Sequence, residues 1–189
     1  MTETLTLAPP NVRSAAKTTG IVILGVALIT LCAKLHVPFW PVPMTLHTLA
    51  VMGLAVALGP RLATATFFAY LAAGAAGLPV FSGTPERGIG LAYMVGPTGG
   101  YLLGYWAASW LTGVLARNRG LVGMTLAMLA GLGVTYAIGL PWLGFYVPVD
   151  KIIPLGFTPF ILGDLINIAM VTVGVALLPS RLRRKITPQ

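Results

Sequence analysis

Charge is what this chain has least of. Only 8% of its 189 residues are Asp, Glu, Lys or Arg, against about 25% in an ordinary soluble domain. A solvated globular surface cannot be built from so little. The single cysteine, Cys32, lies in an apolar run, which excludes both a disulfide framework and a thiolate metal cluster and leaves it as a small core residue. The two histidines, His36 and His47, have no carboxylate near them in sequence, so no metal set is expected. A phosphate-binding loop with its lysine is also missing, so ATP hydrolysis by the chain itself through such a loop is not expected. The first apolar run follows Arg13 and Lys17 but is long and leads into further runs, so a retained first helix is expected rather than a cleaved signal. The 23 glycines and 15 prolines show no Gly-X-Y period, which excludes collagen. A net charge of +8 invites a nucleic-acid reading, but the basic residues sit between apolar runs rather than on one face.

What the chain has is hydrophobic length, with 57% of its residues apolar. The decisive stretch is Thr158 to Leu178, twenty-one residues with one ionised side chain, Asp164. At about 1.5 Å per residue it can cross a hydrocarbon core of about 30 Å. A carboxylate facing lipid there is costly, so Asp164 is expected to face the inside of a helix bundle. Asn167, three positions on, shares that face.

The remaining spans follow in order: Thr18 to Leu35, Met44 to Leu58, Leu62 to Gly77, Tyr101 to Leu115 and Leu121 to Leu140. Three prolines break His36 to Pro43, whose Phe39 and Trp40 suit either an interfacial position or a lid over a pocket. Gly59-Pro60-Arg61 makes a tight turn. Ala65, Ala69 and Ala73 repeat every four residues and form a small-residue seam for a helix of the same bundle or of a partner subunit, self-association included. Leu78 to Gly100 holds six glycines and three prolines; it reads as a partly buried loop folded back over the bundle, permissible only where protein covers its backbone. Pro141 to Phe157 reads as an interfacial connection.

The sequence therefore predicts an all-α integral membrane protein, a bundle of six transmembrane helices. Residues 1–17 are a short tail, 18–180 the membrane domain and 181–189 a basic tail. With the N-terminus inside, the cytoplasmic segments carry Arg13, Lys17, Arg61, Arg117, Arg119, Arg181, Arg183, Arg184 and Lys185, and the outer ones only Lys34, Arg87 and Lys151. That bias places both termini in the cytoplasm. It also puts Asp164, the Pro-rich first loop and the Arg87 loop toward one outward-facing cavity. Trp40, Phe39, Phe81 and Tyr93 would line it, with Arg87, Asp164 and Asn167 as polar fixtures. Such a cavity suits a small amphipathic molecule bearing a carboxylate, which Arg87 could hold through a bidentate pair unless it pairs within its own loop. His47 reads equally as a packed polar residue and as a ligand contact.

Four segments carry a resemblance: VPMTLHTLAV from Val42, GLPVF from Gly77, MVGPTGGYLLG from Met94 and PFILGD from Pro159. In this order they resemble the BioY family, the biotin-specific substrate-binding (S) components of energy-coupling factor (ECF) vitamin transporters. The resemblance implies the six-helix S-component fold in a bacterial cytoplasmic membrane, with biotin bound beneath the first and third outer loops. It places the fused-ring head on the Asp164 face and the valerate carboxylate near the Arg87 loop. Implied partners are a transmembrane coupling subunit and a pair of cytoplasmic ATPases, which alone use ATP; no cofactor of the chain's own is implied. Two positions depart from the family pattern, His47 for a glutamine and Asn167 for a lysine. The other readings of the residues are a membrane-embedded enzyme on a small amphiphile, which lacks a nucleophile and base pair, and an adaptor without ligand.

Overall fold

In the computed structural model the described residues are 12–37, 44–86 and 88–179. Phe39, Trp40, Arg87 and the basic tail 181–189 lie outside them. The element order is α1 (Val12–Lys34), β1 (His36–Val37), β2 (Met44–Thr45), α2 (His47–Ala75), α3 (Gly90–Met94), α4 (Gly99–Leu115), α5 (Leu121–Leu143), α6 (Val149–Gly156) and α7 (Thr158–Leu177). The helical class is as predicted, with one addition: β1 and β2 pair antiparallel, His36 opposite Thr45 and Val37 opposite Met44. Helix α1 begins at Val12, six residues before the apolar span. The intervening segment includes Ala15, Ala16 and Lys17, strong helix formers, so the helix runs on beyond its apolar part.

Helix α2 is two limbs. Gly59, at φ 75° and ψ 175°, breaks the helical path inside it, a conformation that glycine adopts without steric penalty. Pro60 then opens the second limb, where its missing N–H has no helical acceptor to lose. The rings of His47 and Tyr70 are 5.7 Å apart, whereas an unbroken helix would separate these residues by about 35 Å. The chain therefore doubles back at Gly59, as the Gly-Pro-Arg turn predicts. Helix α4 follows the irregular stretch 76–98 and packs on α5 with almost no space between the backbones. A Cβ at Gly104 would lie 2.8 Å from Thr135 Cα, and one at Gly100 2.2 Å from Trp142 Cβ.

By length and composition alone, four stretches among the described residues are apolar enough to cross a membrane: Ala15–Lys34, His47–Ala75, Leu121–Leu143 and Val149–Leu177, the second of them folded back on itself at Gly59. Polarity is distributed as a bilayer demands. Ile23, Leu24, Phe68, Val122, Leu126, Leu162 and Val173 face outward, while Thr48, Thr66, Ser109, Thr112, Thr135 and Asn167 are buried. Hydrocarbon solvates leucine as well as a protein core does, but it offers polar groups nothing. One apolar cluster joins α1, α2 and the 80–93 region around Ile29, Phe67, Tyr70 and Phe81. A second, around Met52, Met124, Met128 and Leu132, joins the first limb of α2 to α4, α5 and α7.

The stretch predicted as a partly buried loop contains the single-turn helix α3, and its Val80, Phe81 and Tyr93 are buried. Leu91 and Val95 are exposed. Phe81 packs where α2 carries Gly74; a Cβ there would meet its ring at 2.0 Å. Lys34 Nζ donates to the Thr84 carbonyl at 3.0 Å, tying the end of α1 to the same loop. The fifth span extends to Leu143 with Pro141 in its last turn. Beyond it, α6 is a short helix whose Val149, Ile153 and Leu155 are exposed, as are Asp150 and Lys151, which form an ion pair of 3.8 Å. Apolar and charged residues exposed together suit a helix at the membrane interface.

Candidate functional site

A cavity of about 170 Å³ opens between the start of α2 and the N-terminal half of α7. Its walls are Thr45 of β2 and His47 of α2, Ser82 of the following loop, Tyr93 of α3, Thr98 of the turn before α4, Tyr101, Leu102 and Tyr105 of α4, Thr135 and Tyr136 of α5, and Phe160, Gly163 and Asp164 of α7. It is smaller than the roughly 300–1,000 Å³ of drug-sized pockets, so it takes a compact group rather than a whole extended ligand.

Asp164 is held by two hydroxyls. Thr48 Oγ1 donates to Oδ1 at 2.6 Å and Tyr136 OH donates to Oδ2 at 2.5 Å. Thr48 Oγ1 is also 2.6 Å from Tyr105 OH. A threonine hydroxyl has one proton, already given to Asp164, so Tyr105 is the donor in that second contact. The result is a chain running Tyr105 to Thr48 to Asp164, closed from the other side by Tyr136. Each hydrogen bond to a charged group contributes roughly 1.5–3 kcal/mol. Each carboxylate oxygen keeps acceptor capacity after one such bond, and Asp164 lies on the cavity wall. Among the described residues it has no ion-pair partner. The site therefore presents a fixed acceptor to a ligand with N–H groups.

Aromatic rings enclose the other side. His47 lies 4.8 Å from Tyr105 and 6.1 Å from Phe67, stacked, and its buried Nε2 has no hydrogen-bond partner among the described residues. Tyr93 stacks on Phe81 at 4.8 Å and gives its hydroxyl proton to the Ser82 carbonyl at 2.8 Å. Tyr101 gives its own to Gly156 at 2.9 Å. These two tyrosines thus offer ring faces, with their donors spent on backbone. Trp142 Nε1 donates to Gly96 at 2.9 Å and Tyr146 OH to Val95, fastening the end of α5 to the turn between α3 and α4.

Of the residues singled out in sequence, Asp164, His47 and Tyr93 line the cavity. Asn167 is fully buried on the inward side of α7. Its Nδ2 donates to the Thr45 carbonyl at 3.0 Å, and its Oδ1 has no partner among the described residues; it sits behind the wall, supporting Thr45. Phe81, also fully buried, backs Tyr93. Phe39, Trp40 and Arg87 lie outside the described residues. Ala65 is exposed, and Ala69 and Ala73 are half-buried, with Ala73 packed on the α1–α2 cluster. Among the described residues no three His, Cys, Asp or Glu side chains group as metal ligands.

Sequence reasoning missed Thr48 as an Asp164 donor, and it missed Tyr101, Tyr105 and Tyr136 altogether. A signal was available. Tyr101 and Tyr105 are four apart on one helix face, and tyrosine hydroxyls inside apolar spans must find an acceptor within the protein.

Residues 3–184 match the model of the BioY family. A biotin transporter BioY of Thermotoga maritima is 39% identical over 84% of this chain and 90% of its own length. A probable biotin transporter BioY of Pyrococcus horikoshii is 37% identical over 84% and 93%. The crystal structure of the S-component for biotin from an ECF-type ABC transporter superposes with a TM-score of 0.73 at 26% identity, covering 94% of both chains. With its four motifs in order, its helical bundle matched over nearly its whole length and its family model spanning all the membrane helices, the chain belongs to the BioY family.

Proposed function

We propose that this chain captures biotin for uptake across the cytoplasmic membrane, as the S component of an ECF-type transporter rather than as an enzyme. The observation that carries this reading is the doubly hydrogen-bonded Asp164 at the wall of a compact cavity. A cyclic urea has two N–H donors and one carbonyl, and Asp164 accepts from the donors. His47 Nε2, in its protonated tautomer, supplies a donor for the carbonyl. Tyr93 presents a ring face to the apolar part of the head, with Phe81 behind it, while Asn167 keeps Thr45 in place. Phe39 and Trp40 cover the ligand, and Arg87 holds the valerate carboxylate.

The topology of this reading has six crossings: α1, the two limbs of α2, α4, α5 and α7. Both termini are then cytoplasmic, along with the Arg61 and Arg117 turns. Residues 18–180 are the binding domain, flanked by the tails 1–17 and 181–189. A coupling subunit docks on the Ala65, Ala69 and Ala73 face and transmits the work of an ATPase pair. Calorimetric titration of the purified full chain with biotin tests the reading. A tight one-to-one complex is expected; a helical, monodisperse preparation that binds no biotin overturns it.

A further inference from the structure

A second cavity, of about 660 Å³, lies at the other end of the bundle, and the proposed function makes no use of it. It is walled by the α2 reversal at Gly59 and Pro60, the end of α4 and the start of the following turn. Its side chains include Arg61, Arg117, Asn118, Trp110, Val114 and Leu62. Arg117 lies sixteen residues, about 24 Å, beyond the Tyr101 of the Asp164 cavity. Close packing builds the second site: a Cβ at Gly113 would lie 2.6 Å from Pro60 N, so α4 abuts the reversal and both arginines border one space.

The charges there are unbalanced. The chain has four acidic residues in all. Asp164 lines the other cavity, Glu86 follows the Ser82 loop that lines it, and Asp150 is paired with Lys151. Glu3 lies outside the described residues. Neither Arg61 nor Arg117 has an ion pair among the described residues. The cavity wall also carries apolar groups open to the exterior: Trp110 is 52% and Val114 40% exposed, and the adjoining Leu115 is 41% exposed.

From this combination we infer that the cavity holds the headgroup of an anionic glycerophospholipid, its phosphate between Arg61 and Arg117 and its acyl chains along Trp110 and Val114. Guanidinium groups suit phosphate oxygens through paired N–H donors, and basic pockets between membrane helices favour anionic headgroups. A free phosphate satisfies only the arginines and leaves the apolar side uncovered. A zwitterionic lipid adds an ammonium that two guanidinium groups repel.

The test uses the full chain in mild detergent, titrated with dioctanoyl phosphatidylglycerol, dioctanoyl phosphatidylcholine or inorganic phosphate, with bound species counted by native mass spectrometry. The parent should favour phosphatidylglycerol over phosphatidylcholine by at least tenfold and bind inorganic phosphate more weakly than either. Arg61→Gln and Arg117→Gln should each lose about fivefold in phosphatidylglycerol affinity, as expected for one basic group at an anionic lipid, and the double variant should lose the preference. Arg117→Lys should keep most of it. Trp110→Ala should weaken both lipids alike and leave their ratio unchanged. Helicity and elution volume check folding without reference to biotin, so the outcome stands apart from the proposed function. Equal binding of the two lipids by the parent, or a preference surviving in a folded double variant, overturns the inference. Inorganic phosphate binding as tightly as phosphatidylglycerol would make this a free-anion site and overturn the lipid assignment. So would a double variant that loses uptake while retaining the lipid preference, because the arginines would then serve a protein partner.

Discussion

Asp164 and Asn167 are three residues apart on one helix, and their surroundings separate their roles. Asp164 faces the cavity between two hydroxyl donors, while Asn167 is fully buried behind it. Asp164→Asn should therefore weaken biotin binding by roughly tenfold to a hundredfold, the range expected for a hydrogen bond to a charged group. Asn167→Ala should cost chiefly thermal stability, by releasing the Thr45 carbonyl, with a smaller effect on affinity. Titration and melting of both variants check this; equal affinity losses would contradict the separation. Tyr136→Phe leaves Asp164 with Thr48 alone and should fall between them. For the carboxylate end, biotin and its amide are compared on the parent and on Arg87→Ala. The amide should bind the parent much more weakly and the variant about as well as biotin does, and the difference isolates the coupling. An unchanged penalty would transfer the role to the loop backbone or to Lys34, which already reaches that loop at Thr84.

At the scale of elements, two small-residue faces behave differently. On α4, Gly100 and Gly104 pack directly on α5, where even a Cβ at Gly104 would fall within 3 Å of the Thr135 backbone. Gly104→Val should lower stability by about 1–3 kcal/mol, the usual cost of overpacking, visible as a reduced melting temperature in detergent with or without biotin. The alanines of the second limb of α2 are more open: Ala65 is exposed and Ala69 half-buried. Ala69→Leu should leave biotin affinity near that of the parent yet reduce uptake in cells that supply the coupling module, because a bulky side chain blocks close helix approach. Unchanged uptake at equal protein level would remove this face from the assembly. The sequence shows small residues on both helices; only the packing reveals that one set is already occupied.

For the whole molecule, the prediction is topological. Reporter fusions at the N-terminus and the C-terminus should both read as cytoplasmic, and one inserted between Val147 and Val149 as external. A split between the termini would require an odd number of crossings and would put the Arg61 and Arg117 turns on different sides from one of the tails. The same arrangement gives the molecule two ends of opposite character, an acidic, hydroxyl-rich cavity at one and a cationic cavity at the other.

Sequence alone determined the helical class, the membrane setting, the doubling back at Gly59-Pro60 and the inward carboxylate at Asp164. Each follows from a local rule: the length of an apolar run, the conformations open to glycine and proline, or the cost of a charge in hydrocarbon. The family resemblance was legible too, because its motifs are contiguous. What only the tertiary structure decided is which residues answer Asp164. Thr48, Tyr105 and Tyr136 come from three different helices, separated from it by up to 116 residues, and no periodicity along one helix encodes which face of another it will meet. The same holds for the pairing of Arg61 with Arg117 around one cavity. Their placement depends on how closely Gly113 lets α4 approach Pro60, a distance set by packing between helices rather than by any stretch of sequence.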